Sequence, residues 1–136
     1  GKDGTSKEYY GTGELYSEGK YDKGKATGSH KYYWPNGKIK SEENYKNGQL
    51  NGVYTSYSEE GKVIYSQEFK EGKRNGKSQI YYAVGNLESE GNYVNDNPSG
   101  ELKEYYPEGT LKQTTTFDVS GKKNGKVEMF AVDGSK

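Results

Sequence analysis

Residues 28–51 read GSHKYYWPNGKIKSEENYKNGQLN, and this stretch recurs along the chain. Its first glycine has counterparts at Gly4, Gly52, Gly76 and Gly100, each 24 residues apart, and at Gly125 one residue late. A second glycine column runs Gly13, Gly37, Gly61, Gly85, Gly109 and Gly134. Between the two lies an aromatic column, Tyr9, Tyr33, Tyr57, Tyr81, Tyr105 and Phe130. An aliphatic column follows at Leu15, Ile39, Val63, Leu87 and Leu111, then a second aromatic one at Tyr21, Tyr45, Phe69, Tyr93 and Phe117. A fixed period of this length marks a tandem-repeat architecture. The reading is one repeat domain, 1–136, with units 4–27, 28–51, 52–75, 76–99, 100–124 and a partial unit 125–136.

Each unit reads as two strands and two turns. The first strand spans about six residues after the opening glycine (29–34), rich in the Tyr, Val and Thr that suit a pleated surface. Pro35-Asn36-Gly37 and its counterparts form a three-residue hairpin turn, with glycine supplying the left-handed position. That turn sets Trp34 opposite Lys38 and Tyr33 opposite Ile39. It likewise pairs Tyr9 with Leu15, Tyr57 with Val63, Tyr81 with Leu87 and Tyr105 with Leu111, as cross-strand partners on one face. Counted outward, His30 falls opposite Glu42, and Glu104 opposite Lys112 as an ion pair. The second turn is read at Lys23-Gly24, Asn47-Gly48, Glu71-Gly72 and Asp96-Asn97, and needs an odd residue count or a bulge to keep the pairs in phase. An extra residue before Gly121 falls in the last such turn. The fold expected is therefore all-β: an elongated antiparallel meander of hairpins in a single twisted, curled sheet, without helix. About eleven strands at ~4.8 Å spacing give a ribbon on the order of 50 Å long. One face carries a ridge of alternating Tyr and aliphatic residues, which twist turns into a shallow groove.

The motif in Gly28, Tyr33, Asn36, Gly37, Ile39, Glu42, Tyr45, Gly48, Asn51 and the next glycine, Gly52, resembles the MORN repeat, more closely its bacterial variant. The likeness extends from Gly4 to Gly134. Departures are Thr27 and Ser99 in place of Asn, Asp96 for the turn glycine, and Ser58 for an aromatic. The resemblance implies a hairpin sheet, usually one module of a larger protein, that serves protein–protein contact or self-association. Some eukaryotic members are credited with lipid or membrane attachment, and some bacterial variants are labelled antitoxins.

Composition narrows the function classes. Hydrophobic residues make up 28% against a usual ~45–50%, too few for a two-layer core. Composition alone suits a disordered chain, but strict aromatic register does not. The 20 basic and 20 acidic residues are interspersed, without the basic stripe that nucleic acid or an anionic membrane requires. No apolar run approaches the ~20 residues of a membrane span. There is no cysteine, hence no disulfide framework. The chain does not start with Met. A removed leader then places it outside the cytoplasm, at the cell surface or in the periplasm; a boundary inside a longer array gives the same start.

Few residues suggest catalysis. His30 is the sole histidine, which argues against histidine metal clusters, metal cofactors and Ser-His-Asp chemistry. Glu18, Glu42 and Glu90 recur two strands apart, ~10 Å, and read as solvated charges. The glycines mark turns, so no phosphate loop is inferred, and carboxylate spacing for a calcium loop is lacking. The candidate binding set is a second aromatic row on the face opposite the ridge: Tyr10, Trp34, Tyr82 and Tyr106, with Tyr32, Tyr54 and Ile80 nearby. Such a row can grip a partner or stack on sugars, or simply cover bare strand backbone. The function expected is a non-enzymatic scaffold in which the uncovered apolar ridge meets its partner: a second copy, another domain, or a protein that docks in the groove or adds a strand at the edge. The alternative is a carbohydrate or cell-wall-binding module.

Overall fold

The computed structural model describes residues 3–117 and the backbone of 123–129. Phe130, Gly134 and the turn at Gly121 lie outside the described residues. The strands are β1 (Gly4–Tyr9), β2 (Leu15–Asp22), β3 (Lys25–Tyr33), β4 (Ile39–Lys46), β5 (Gln49–Leu50) and β6 (Gly52–Tyr57). After them come β7 (Val63–Lys70), β8 (Lys73–Tyr81), β9 (Leu87–Val94), β10 (Asn97–Tyr105), β11 (Leu111–Phe117) and β12 (Lys123–Met129). They make one antiparallel sheet, in which sequence neighbours are spatial neighbours and the short β5 extends the pairing of β4. The path is an open meander without helix among the described residues, as the repeats imply.

The three-residue turns form as read. Trp34 donates its amide to the Lys38 carbonyl (2.8 Å), and Gly37 closes the turn onto the Trp34 carbonyl (2.9 Å). Gly37 has φ of 88°, a conformation that disfavours residues with a Cβ. The aromatic–aliphatic pairs follow: Tyr33 faces Ile39, and Tyr9, Tyr57, Tyr81 and Tyr105 face their expected partners.

One step further out the register slips. Tyr32 pairs with Ser41, so Lys40 is an extra residue, a β-bulge. The same bulge recurs at Tyr16, Ile64, Glu88 and Lys112. His30 therefore faces Glu43 rather than Glu42. Glu104 faces Gln113 rather than Lys112, and the expected ion pair does not form. Lys112 instead holds its ammonium 5.8 Å from the Tyr106 ring centroid.

The other turns have two residues, both with positive φ: Lys23-Gly24 (51°, 82°), Asn47-Gly48 (52°, 81°), Glu71-Gly72 (52°, 84°) and Asn95-Asp96 (49°, 71°). This is the type I′ hairpin, whose twist matches that of the strands. The last of them corrects Asp96-Asn97, since Val94 and Asn97 are the flanking pair. Phase is restored inside the strands. Between the pairs Glu18–Lys31 and Lys20–Thr27, Gly19 alone faces residues 28–30. Gly28, with φ of 66°, thus occupies a wide bulge within β3. It belongs neither to a turn nor to the start of a strand, and β3 begins three residues before it.

Among the described residues no hydrophobic side chain is fully buried; the buried ones are Ser17, His30, Ser41, Gln67, Ser78 and Thr115. Cross-strand register places all six on the face opposite the Tyr33–Ile39 pairs. The ridge is half-buried by its neighbours, with only Tyr9 exposed, at 60%. Without a second layer, what holds the sheet is nearest-neighbour contact repeated along the array.

Candidate interaction surface

Two faces of different chemistry emerge from the register. On the ridge face a polar row runs Lys7, Glu18, Lys31, Glu42, Thr55, Ser66, Gln79, Glu90 and Lys103 across successive strands. The three recurring glutamates all lie in this row. Glu18 accepts the Tyr33 hydroxyl (2.8 Å), and Glu90 accepts the Gln79 amide (2.7 Å). Burial and the Glu18 bond push the Tyr33 hydroxyl up to about 12.

On the opposite, aromatic face the corresponding row is Ser17, Tyr32, Ser41, Ser56, Tyr65, Ile80, Ser89, Glu104 and Gln113. Rings gather around it. Tyr10, Tyr16 and Tyr32 meet edge-to-face, with centroids 5.1 and 5.7 Å apart. His30 stands between Tyr21 (5.2 Å) and Tyr45 (4.8 Å). Tyr54 contacts Tyr65 and Phe69 at 5.9 and 6.5 Å. Burial raises the Tyr32, Tyr54 and Tyr65 hydroxyls. It raises that of Tyr45 further, helped by the bond Tyr45 donates to Glu43.

The second aromatic column performs the covering expected of the first candidate row. Tyr21, Tyr45, Phe69, Tyr93 and Phe117 each pair with an opening glycine: Gly4, Gly28, Gly52, Gly76 and Gly100. A ring across from a glycine shields backbone that has no side chain of its own.

The candidate row Tyr10, Trp34, Tyr82 and Tyr106 has another structural part. Tyr10 donates its hydroxyl to the Tyr33 carbonyl (2.6 Å), and Tyr82 to the Tyr105 carbonyl (2.6 Å). Trp34 donates its indole N–H to the Tyr57 carbonyl (3.2 Å). Each bond ties one unit to the next, which satisfies the polar tip of a half-buried ring. Ser58, in the same column, is too short for this reach. The Lys40 ammonium lies 4.9 Å from the Trp34 ring centroid. Tyr32 and Tyr54 sit further along the same face, as expected, so the structure brings the row and its neighbours together on one surface.

The candidate set left out Tyr16, Tyr65 and His30, although the pairing read from the turns already put His30 on the face opposite the ridge. Tyr16 follows the ridge residue Leu15 and reaches that face by simple alternation, whereas Tyr65 reaches it because the bulge at Ile64 pairs it with Ser56. His30 is 5% exposed, with Nε2 2.8 Å from the Lys20 carbonyl. A Cβ on Gly19 would collide with its ring, so the imidazole fills the space that Gly19 leaves. Among the described residues no group of three or more His, Cys, Asp or Glu forms a metal-binding cluster.

A family model described as MORN repeat variant matches the chain five times, at residues 2–23, 26–47, 50–71, 74–95 and 98–118. The chain belongs to the MORN repeat variant family. Each of the first four matches ends in a type I′ turn, so one MORN unit is a hairpin closed by its three-residue turn. No curated protein matches the chain. Membership makes this MORN chain a repeat scaffold, and its sheet has two chemically distinct faces.

Proposed function

We propose that the protein is a non-enzymatic scaffold that makes protein–protein contacts, with a partner or a second copy, through its aromatic face. One observation carries this reading: on the aromatic face rings from three successive repeats meet one another, whereas on the other face the ridge tyrosines alternate with aliphatic partners and are flanked by a charged and polar row. Tyr-rich surfaces suit protein contact because the rings are large, rigid and amphipathic. The state of His30 supports a non-enzymatic reading. Its ring is enclosed by two others, and its Nε2 is engaged with a backbone carbonyl, so it is poorly placed to act as a base. Glycan binding draws on the same rings, but stacking needs an open ring face. Trp34 has a lysine over its ring, and Tyr10 and Tyr82 are tethered by their hydroxyls, which favours protein contact over glycan.

The test is photo-cross-linking. A benzophenone-bearing residue at Tyr32 or Tyr54 is expected to trap a defined protein species, either a second copy or a partner. The same group at Thr55, on the polar row, is expected to trap none. Equal trapping from both faces, or none from either, contradicts the proposal.

A further inference from the structure

The column Gly19, Glu43, Gln67, Gly91 and Thr115 runs across the aromatic face and contains two glycines. At Gly19 the missing side chain is replaced by the His30 ring. At Gly91 the nearest side chain is Leu102, whose Cδ1 lies 3.1 Å from where a Cβ would stand. That is closer than an ordinary contact, so Leu102 leans over Gly91, and beside it a trough of about 290 Å3 is lined by Gly91, Ser78 and Ser89. Ile80, Tyr93 and Leu102 supply its apolar walls. Ile80 is 39% exposed.

The rim is acidic. Glu88 and Glu104 both line the trough; Glu88 is the bulge residue of its repeat and follows the ridge residue Leu87. Glu104 accepts one bond, from Gln113 (3.3 Å), and Glu88 engages no side chain among the described residues. Two cations in this part of the sheet are otherwise engaged: Arg74 stacks on Tyr93 (4.3 Å) and pairs with Asp96 (3.3 Å), and Lys112 holds its ammonium 5.8 Å from the Tyr106 ring centroid. In the other repeats the bulge position holds Tyr16, Lys40, Ile64 and Lys112, so among the described residues a carboxylate stands there in this repeat alone.

We propose that the Gly91 trough receives a short segment of a partner protein, an apolar side chain flanked by lysine or arginine. Its volume lies at the small end of ligand pockets, ~300–1,000 Å3, and suits a few side chains rather than a folded surface. An apolar anchor gains by leaving water against Ile80 and Leu102. Flanking cations match the two carboxylates, which select against acidic sequences by like-charge repulsion. This inference rests on the scaffold reading and names the chemistry of one partner.

The probes are two synthetic peptides, acetyl-Lys-Leu-Lys-Phe-Lys-amide and acetyl-Glu-Leu-Glu-Phe-Glu-amide, titrated into the 15N-labelled chain. The basic peptide is expected to shift the amide signals of Ser89, Gly91 and Leu102, and the acidic one to leave them in place. Glu88→Lys is expected to weaken the basic peptide by about fivefold or more. Gly91→Ala keeps both charges but sets a Cβ against Leu102 and displaces that wall, and is expected to weaken it as well. Equal shifts from the acidic peptide, shifts confined to other parts of the sheet, or unchanged binding by Glu88→Lys overturn the proposal. Should Glu88→Lys lose its native spectrum, Glu104→Lys supplies the same charge test. If the basic peptide fails while cross-linking from Tyr32 and Tyr54 succeeds, this site is refuted and the scaffold reading stands. If both fail, the scaffold reading falls with it.

Discussion

At the scale of single residues, the working parts are polar tips on aromatic rings. The Tyr82 hydroxyl on the Tyr105 carbonyl is a neutral hydrogen bond in a half-buried setting, worth about 0.5–1.5 kcal/mol. Tyr82→Phe should therefore lower stability by about 1 kcal/mol in urea unfolding. Tyr57→Phe, which removes a hydroxyl with no bond among the described residues, should stay within about 0.5 kcal/mol. The hydroxyls also set an alkaline limit. Tyr33 is raised to about 12 by burial and its Glu18 bond, and Tyr45 is raised further by burial and its Glu43 bond. In the unfolded chain both ionise near their ordinary value of about 10. The folded state holds these protons longer, so their stabilisation is complete below about pH 10 and declines as pH rises toward the folded values. Urea midpoints should be level from about pH 7 to 9 and fall between about 10 and 12. The Tyr33→Phe, Tyr45→Phe double variant should fall less steeply; an unchanged slope would mean the two hydroxyls are not the cause.

At the scale of the hairpin, turn chemistry explains both what the sequence displays and what it conceals. The three-residue turns were legible because Pro35 and the Gly37 column mark them in the chain. The bulge at Lys40 was not legible, since Tyr16, Lys40, Ile64, Glu88 and Lys112 share no residue type. Its demand is for an extra residue, not for a particular side chain. The wide bulge at Gly28 was misread for the opposite reason. Its glycine column is plain in the sequence, but a positive φ serves a turn and an in-strand bulge equally well. The type I′ turns offer a direct check. Glu71 holds φ at 52°, where a residue other than Gly, Asn or Asp is strained by roughly 1 kcal/mol or more. Glu71→Asn should stabilise the chain by about 0.5–1 kcal/mol in thermal or urea unfolding. Asp96→Gly should gain far less, because it removes the carboxylate that accepts the Arg74 amide (2.8 Å).

At the scale of the whole molecule, tandem repetition takes over the role usually played by a core. The period was readable in the sequence because five copies of each column outvote local exceptions such as Ser58 and Asp96. Which face would be left for contact was harder to read. The ridge pairs Tyr33 with Ile39 as expected and Tyr16 lies opposite it by alternation, yet Tyr65 reaches the other face through a bulge that no local signal marks. The central claim is that one open sheet layer carries an unbroken row from Ser17 to Gln113, with the ridge pairs on its far side. The most direct measurement is the set of cross-strand proton contacts along that row by nuclear magnetic resonance. The account predicts backbone contacts for Tyr32 with Ser41, Ser41 with Ser56, and Ile80 with Ser89, and ring contacts from Tyr32 to Tyr16. Backbone pairing of His30 with Glu42, a row broken between Ser41 and Ser56, or ring contacts from Tyr32 to Ile39 would contradict it.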